Sequence, residues 1–143
     1  MCQKASLGIT LISLFTTGLS LFYAQGTQFK GKLSRLPVDI ATAANITGTG
    51  NVTAKLIGQD LRITANFEGM SSPVTAIHIH RAARARRGPV AFILNLPMVN
   101  KSLFEIVKLN AEEVDVLNKG NYYLQIHTEQ NPTGELRGWL LPY

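Results

Sequence analysis

Short alternating runs, broken by Gly, Asn, Asp and Pro, constrain this chain more than any other feature. In LRITANF, the residues Leu61, Ile63, Ala65 and Phe67 fall on one side of an extended backbone, and Arg62, Thr64 and Asn66 on the other. Side chains that alternate at period two describe a half-buried β-strand. FKGKL, VTAIHIH, GPVAFIL and LFEIVKL carry similar short strand signals, and TGTGNVTAKLI is joined to LRITANF through Gly58-Gln59-Asp60. NYYLQIHT and GELRGWLL make a further hairpin around Asn131-Pro132-Thr133-Gly134, a tetrad of turn-forming residues. One segment follows another rule. In NAEEVDVLNKG, Asn110 stands at an N-cap with Glu113 three residues on, and Gly120 terminates the turn. The expected fold is therefore all-β, a Greek-key β-sandwich or barrel of about eight strands with one short helix.

The first residues do not belong to that pattern. MCQKASLGITLISLFTTGLSLFYAQG has one early cation, Lys4, and then no charge from Leu7 to Tyr23. This is the plan of a secretory signal peptide over residues 1–24, with Ala24 as the last residue removed. The alternative is an uncleaved anchor, since about 18 apolar residues can begin to span a bilayer. The domain then occupies residues 25–143 and is expected outside the cytoplasm, touching a membrane only if the leader stays attached. Cys2, the sole cysteine, leaves with the leader, so packing rather than a disulfide must hold the mature domain.

Lys and Arg outnumber Asp and Glu by 14 to 9. Much of that excess lies in RAARARR, where Arg81, Arg84, Arg86 and Arg87 form a cationic loop that could meet an extracellular polyanion. The bland reading of the same loop is a solvated turn. No zinc finger, RNP motif or basic helix points to nucleic acid. Nucleophile-elbow, P-loop, dinucleotide and zinc-protease motifs are also missing from the sequence.

The three histidines carry the chemistry. His78 and His80 are two apart in a strand, so both project from one face with Cα atoms roughly 6.5 Å apart. Alternation in LQIHT puts His127 opposite Leu124 and Ile126, again on the polar side. Three neutral imidazoles with an open position suit copper or zinc. The alternative is polar strand surface, and the choice turns on whether the two strands are neighbours.

Together AIHIHRAARARRGPVAFIL and YYLQIHTEQNPTGELRGWL resemble the CHRD domain, the module named after chordin. The shared pieces are H-I-H, a loop ending in G-P-V, and H-T-x-x-N-P-x-G-E-x-R-G, within a resemblance running from about Phe29 to Leu141. It implies a secreted binding module whose recurrent polar residues are His78, His80, His127, Glu135 and Arg137. Glu135 and Arg137, two apart in sequence, are expected to share a strand face, to pair, and to support the histidines. Two departures stand out. LSRLPVDIATAA replaces the family's G-x-Q-E-V-P-P segment, and the usual neutral loop after H-I-H has become arginine-rich. A looser architectural likeness, an H-x-H strand with a late histidine and arginine, is to Cu/Zn superoxide dismutase. Three histidines are too few for its two-metal site. The readings left open are a metal-holding module for a protein ligand or polyanion, a copper-dependent redox enzyme, and polyanion adhesion through the arginine loop.

Overall fold

The structure, a computed structural model, describes residues 26–35, 40–41, 43–96 and 101–143. Residues 1–25, which include the expected leader with Cys2, and part of LSRLPVDIATAA lie outside the described residues. Every expected strand forms. They are β1 (Thr27–Arg35), β2 (Thr49–Ile57), β3 (Asp60–Glu68), β4 (Val74–Arg81), β5 (Val90–Leu94), β6 (Ser102–Lys108), β7 (Tyr122–Thr128) and β8 (Leu136–Trp139), with a two-residue β9 (Leu141–Pro142). The helix, α1, spans Ala111–Asn118.

The eight main strands follow the order β5-β4-β7-β8-β1-β2-β3-β6 in a nearly closed, barrel-like antiparallel sheet. The neighbours β4–β7, β1–β8 and β3–β6 are distant in the chain, and these are the crossovers of the Greek-key arrangement. Strand β1 joins the two halves. Residues 27–33 pair with β2, while Ser34 and Arg35 pair with β8.

Alternation decides what faces inward. Leu61, Ile63, Ala65 and Phe67 of β3 are buried, and they meet Phe29 and Leu33 of β1, Ile77 and Ile79 of β4, and Leu124 and Ile126 of β7 in one core. Fully burying a large apolar side chain contributes about 1.5–3 kcal/mol. That collective burial sets the strand faces, because a one-residue slip would put the apolar set in water. Gly58 supplies the positive φ needed at the tight β2–β3 turn, where Ile57 pairs with Asp60.

Helix α1 has the predicted capping box. Asn110 Oδ1 accepts from the Glu113 amide at 3.0 Å, and the Asn110 amide donates to Glu113 Oε2 at 2.8 Å. Its Val116 and Leu117 enter the core, and Gly120 follows with a left-handed φ of 69°. Among the described residues, no helix is long and apolar enough to cross a membrane.

Candidate metal centre

Strands β4 and β7, which lie more than forty positions apart in sequence, are hydrogen-bonded neighbours. His78 lies opposite Gln125, His80 opposite Tyr123, and Ala76 opposite His127. Because Ile77, Ile79, Leu124 and Ile126 are committed to the core, the three histidines project from the sheet's other face. His127 is the diagonal neighbour of His78, and their ring centroids are 4.7 Å apart. His80 completes the triangle, 5.9 Å from His78 and 6.1 Å from His127. One ring nitrogen from each residue lies within 4.8 Å of the others, so the group could hold a metal ion.

The surrounding loops orient two of the rings. His80 Nδ1 is 2.9 Å from the Gly88 carbonyl, and His127 Nδ1 is 2.9 Å from the Pro132 carbonyl. A carbonyl only accepts, so each Nδ1 carries the proton and each Nε2 keeps its lone pair. Those two Nε2 atoms, with Nδ1 of His78, are buried and have no hydrogen-bond partner among the described residues. A buried polar atom left in that state costs about 1–3 kcal/mol. Burial lowers the pKa of His78, and the His80 charge lowers it further. Burial also lowers that of His127; the Pro132 bond opposes this, while His78, His80 and Arg137 reinforce it. Both rings are therefore held towards the neutral, metal-binding form.

The G-P-V motif acquires a physical reason here. A Cβ on Gly88 would come within 1.9 Å of the Arg81 carbonyl, so the loop closes against β4 only with glycine. Tyr123 donates nothing to the histidines but stacks flat on His80, at 4.9 Å and 2°. Its hydroxyl accepts from the Gly88 amide at 3.3 Å, and Trp139 Nε1 donates to the Ala82 carbonyl at 3.3 Å.

The N-P-x-G-E motif does the same for the other loop. Glu135, 1 % exposed, accepts from Ser71 N at 2.8 Å, Ser71 Oγ at 2.6 Å, Thr128 Oγ1 at 2.6 Å, Asn131 Nδ2 at 3.2 Å and Thr47 N at 3.3 Å. Gly134 has a φ of 121°, and a Cβ there would strike the Gln125 side chain at 2.0 Å. Gln125 Nε2 donates to the Thr133 carbonyl at 2.7 Å. The carboxylate clamp and the Gln125 bond thus shape the turn that carries the Pro132 carbonyl.

The expected pairing of Glu135 with Arg137 does not form. Glu135 precedes β8 and is saturated by donors from three other segments, whereas Arg137 Nε donates to Gln125 Oε1 at 2.9 Å. The Arg137 guanidinium lies 4.7 Å from the Tyr123 centroid and 5.9 Å from that of Trp139. Neither residue hydrogen-bonds an imidazole; each reaches the histidines through an intermediary. The four loop arginines also divide. Arg81 pairs with Glu112 at 2.8 Å, Arg84 and Arg86 are exposed, and Arg87 is close enough to lower the pKa of Arg137.

The family model for the CHRD domain matches residues 34–140. This chain belongs to the CHRD family. No curated protein and no solved structure matched the chain. Sequence reading of this CHRD domain missed Ser71, Tyr123 and Gln125. Gln125 had a signal, because it shares the His127 face of β7; Ser71 had none, since only folding brings its segment beside Glu135.

Proposed function

We propose that this CHRD domain is an exported binding module that holds one copper or zinc ion through His78, His80 and His127. The observation that supports it is the set of buried, unpartnered nitrogens on three converging imidazoles. Metal–nitrogen bonds of about 2.0–2.1 Å place tetrahedral neighbours about 3.4 Å apart, so side-chain movements on the order of an ångström would close the set. The carbonyls of Gly88 and Pro132 act as outer partners that fix the donor atom of two rings. Glu135 and Arg137 support the site at one remove, through the turn that carries Pro132 and through Gln125 and Tyr123. A three-nitrogen set leaves an open position, which can take a protein ligand's side chain or a small anion.

Copper(II) titration of metal-free protein, followed by electron paramagnetic resonance, tests this reading. One equivalent should bind with nitrogen hyperfine structure, and His78→Ala or His127→Ala should change that spectrum while thermal unfolding shows the variant folded. A wild-type spectrum in both variants removes the site. A second reading, copper-dependent redox turnover of superoxide or a related small oxidant, draws on the positive charge of Arg137 felt at His127. It requires dismutation by the copper-loaded protein above that of free copper at equal concentration; bound copper without turnover leaves the binding module.

A further inference from the structure

An open groove of about 850 Å³ is lined by β1, β2, β8, β9 and the loop at Arg84. Its volume is that of a drug-sized ligand site. Among the described residues, every charged group lining it is a cation: Lys30, Lys32, Arg84 and Arg137. The rest of the lining is largely apolar, with Trp139, Leu141 and Pro142 prominent.

Arg137 distinguishes this groove from a merely basic surface. It is 7 % exposed, yet among the described residues its side-chain hydrogen bond goes to the neutral Gln125 amide, with the Tyr123 and Trp139 rings and the Arg87 charge nearby. Among the described residues, no carboxylate pairs with it. A buried cation without a counter-charge is costly, and its cost falls when an anion arrives beside it. Burial is the main influence lowering its pKa; Tyr123 acts the other way and Arg87 adds a smaller lowering. Lys30, by contrast, sits at 4.3 Å over the Tyr143 ring, and Lys32 and Arg84 are exposed. The lining therefore combines one buried guanidinium with exposed cations and an apolar wall.

We propose that the groove binds a small amphipathic organic anion, its carboxylate or sulfate headgroup set against Arg137, Arg84 and Lys32 and its apolar body against Trp139 and Leu141. Charge selects the headgroup, and the apolar lining selects a ligand that brings more than charge. This site needs no metal, so it stands or falls apart from the histidine reading. It also differs from a polyanion surface on the arginine loop, because Arg81 is engaged with Glu112 and Arg137 lies in β8.

Trp139 is the only tryptophan in the chain, so its emission reports occupancy directly. Purified protein is titrated with decanoate, decyl sulfate, inorganic sulfate and decyltrimethylammonium, each below micelle formation. Decanoate and decyl sulfate should give saturable changes, and inorganic sulfate should bind at least about tenfold more weakly than decyl sulfate. The cationic amphiphile should give no saturable change. Replacing the exposed pair together, Lys32→Ser with Arg84→Ser, should weaken decyl sulfate about three- to tenfold without disturbing the fold. Arg137→Gln should weaken it on the order of tenfold or more, with thermal unfolding recorded alongside. An equal response to the cationic amphiphile or to inorganic sulfate overturns the proposal. So does unchanged affinity in the folded double variant, or the lack of any saturable response to decyl sulfate.

Discussion

Replacing Glu135 with alanine tests whether a buried anion, rather than apolar packing, holds the loops around the histidines. Five donors from Thr47, Ser71, Thr128 and Asn131 converge on this carboxylate. Hydrogen bonds to a charged group contribute about 1.5–3 kcal/mol each, but the terms are not additive. The Ser71 and Thr128 hydroxyls can rotate to other acceptors or to water. Counting the equivalent of two lost charged bonds, Glu135→Ala should cost about 3–6 kcal/mol, and Glu135→Gln, which keeps an oxygen, about 1–3 kcal/mol. Either is a large share of the roughly 5–15 kcal/mol that stabilises a typical domain. Equilibrium urea unfolding, followed through Trp139 emission, measures it. The pH dependence supplies a second check. Burial pushes the Glu135 carboxyl up, but the bonds from Ser71, Thr128 and Asn131 outweigh it and hold the group below its ordinary 4.5. A depressed carboxyl pKa contributes stability above the unfolded value and loses it as pH falls through the folded one. The gap between wild type and Glu135→Gln should therefore be full near neutral pH and shrink below 4.5. A loss under about 1 kcal/mol at neutral pH, or one equal at all pH values, refutes the clamp.

Other consequences are open to direct measurement. Gly88→Ala would push the loop off the Arg81 carbonyl and draw the Gly88 carbonyl from His80, lowering copper(II) affinity about 10- to 100-fold by isothermal titration. Gly134→Ala, at a φ of 121° and against the Gln125 side chain, should destabilise the fold by about 1–3 kcal/mol in urea. Asn110→Ala removes the cap of α1 and should cost about 1 kcal/mol by thermal unfolding, with the histidine site unaffected. Because the pKa values of His78 and His127 are lowered, the unfolded chain takes up protons first as pH falls through 6.5. The metal-free protein should lose stability over that range, and His127→Asn should flatten the slope.

Much of the fold was legible because each strand reports its own face. LRITANF and LQIHT assign inward and outward residues without reference to any partner, since alternation is a property of the extended backbone. The capping box at Asn110 and Glu113 was legible for the same reason, its hydrogen bonds spanning three residues. The Glu135–Arg137 pairing failed because proximity along the chain says nothing about competing donors. Ser71 is 64 positions from Glu135, and no local pattern announces that it will arrive there.

Local alternation by itself established an all-β chain and put three imidazoles on the side away from the aliphatic residues. Whether they would meet was a matter of which strand lay beside which, settled by the burial of one shared core and by the crossovers between remote strands. The pairing of β4 with β7 turned two separate motifs into one cluster, and the folded loops supplied the carbonyls that aim two of its rings. A side chain's face is written in its neighbours, but its partners depend on the packing of the whole chain.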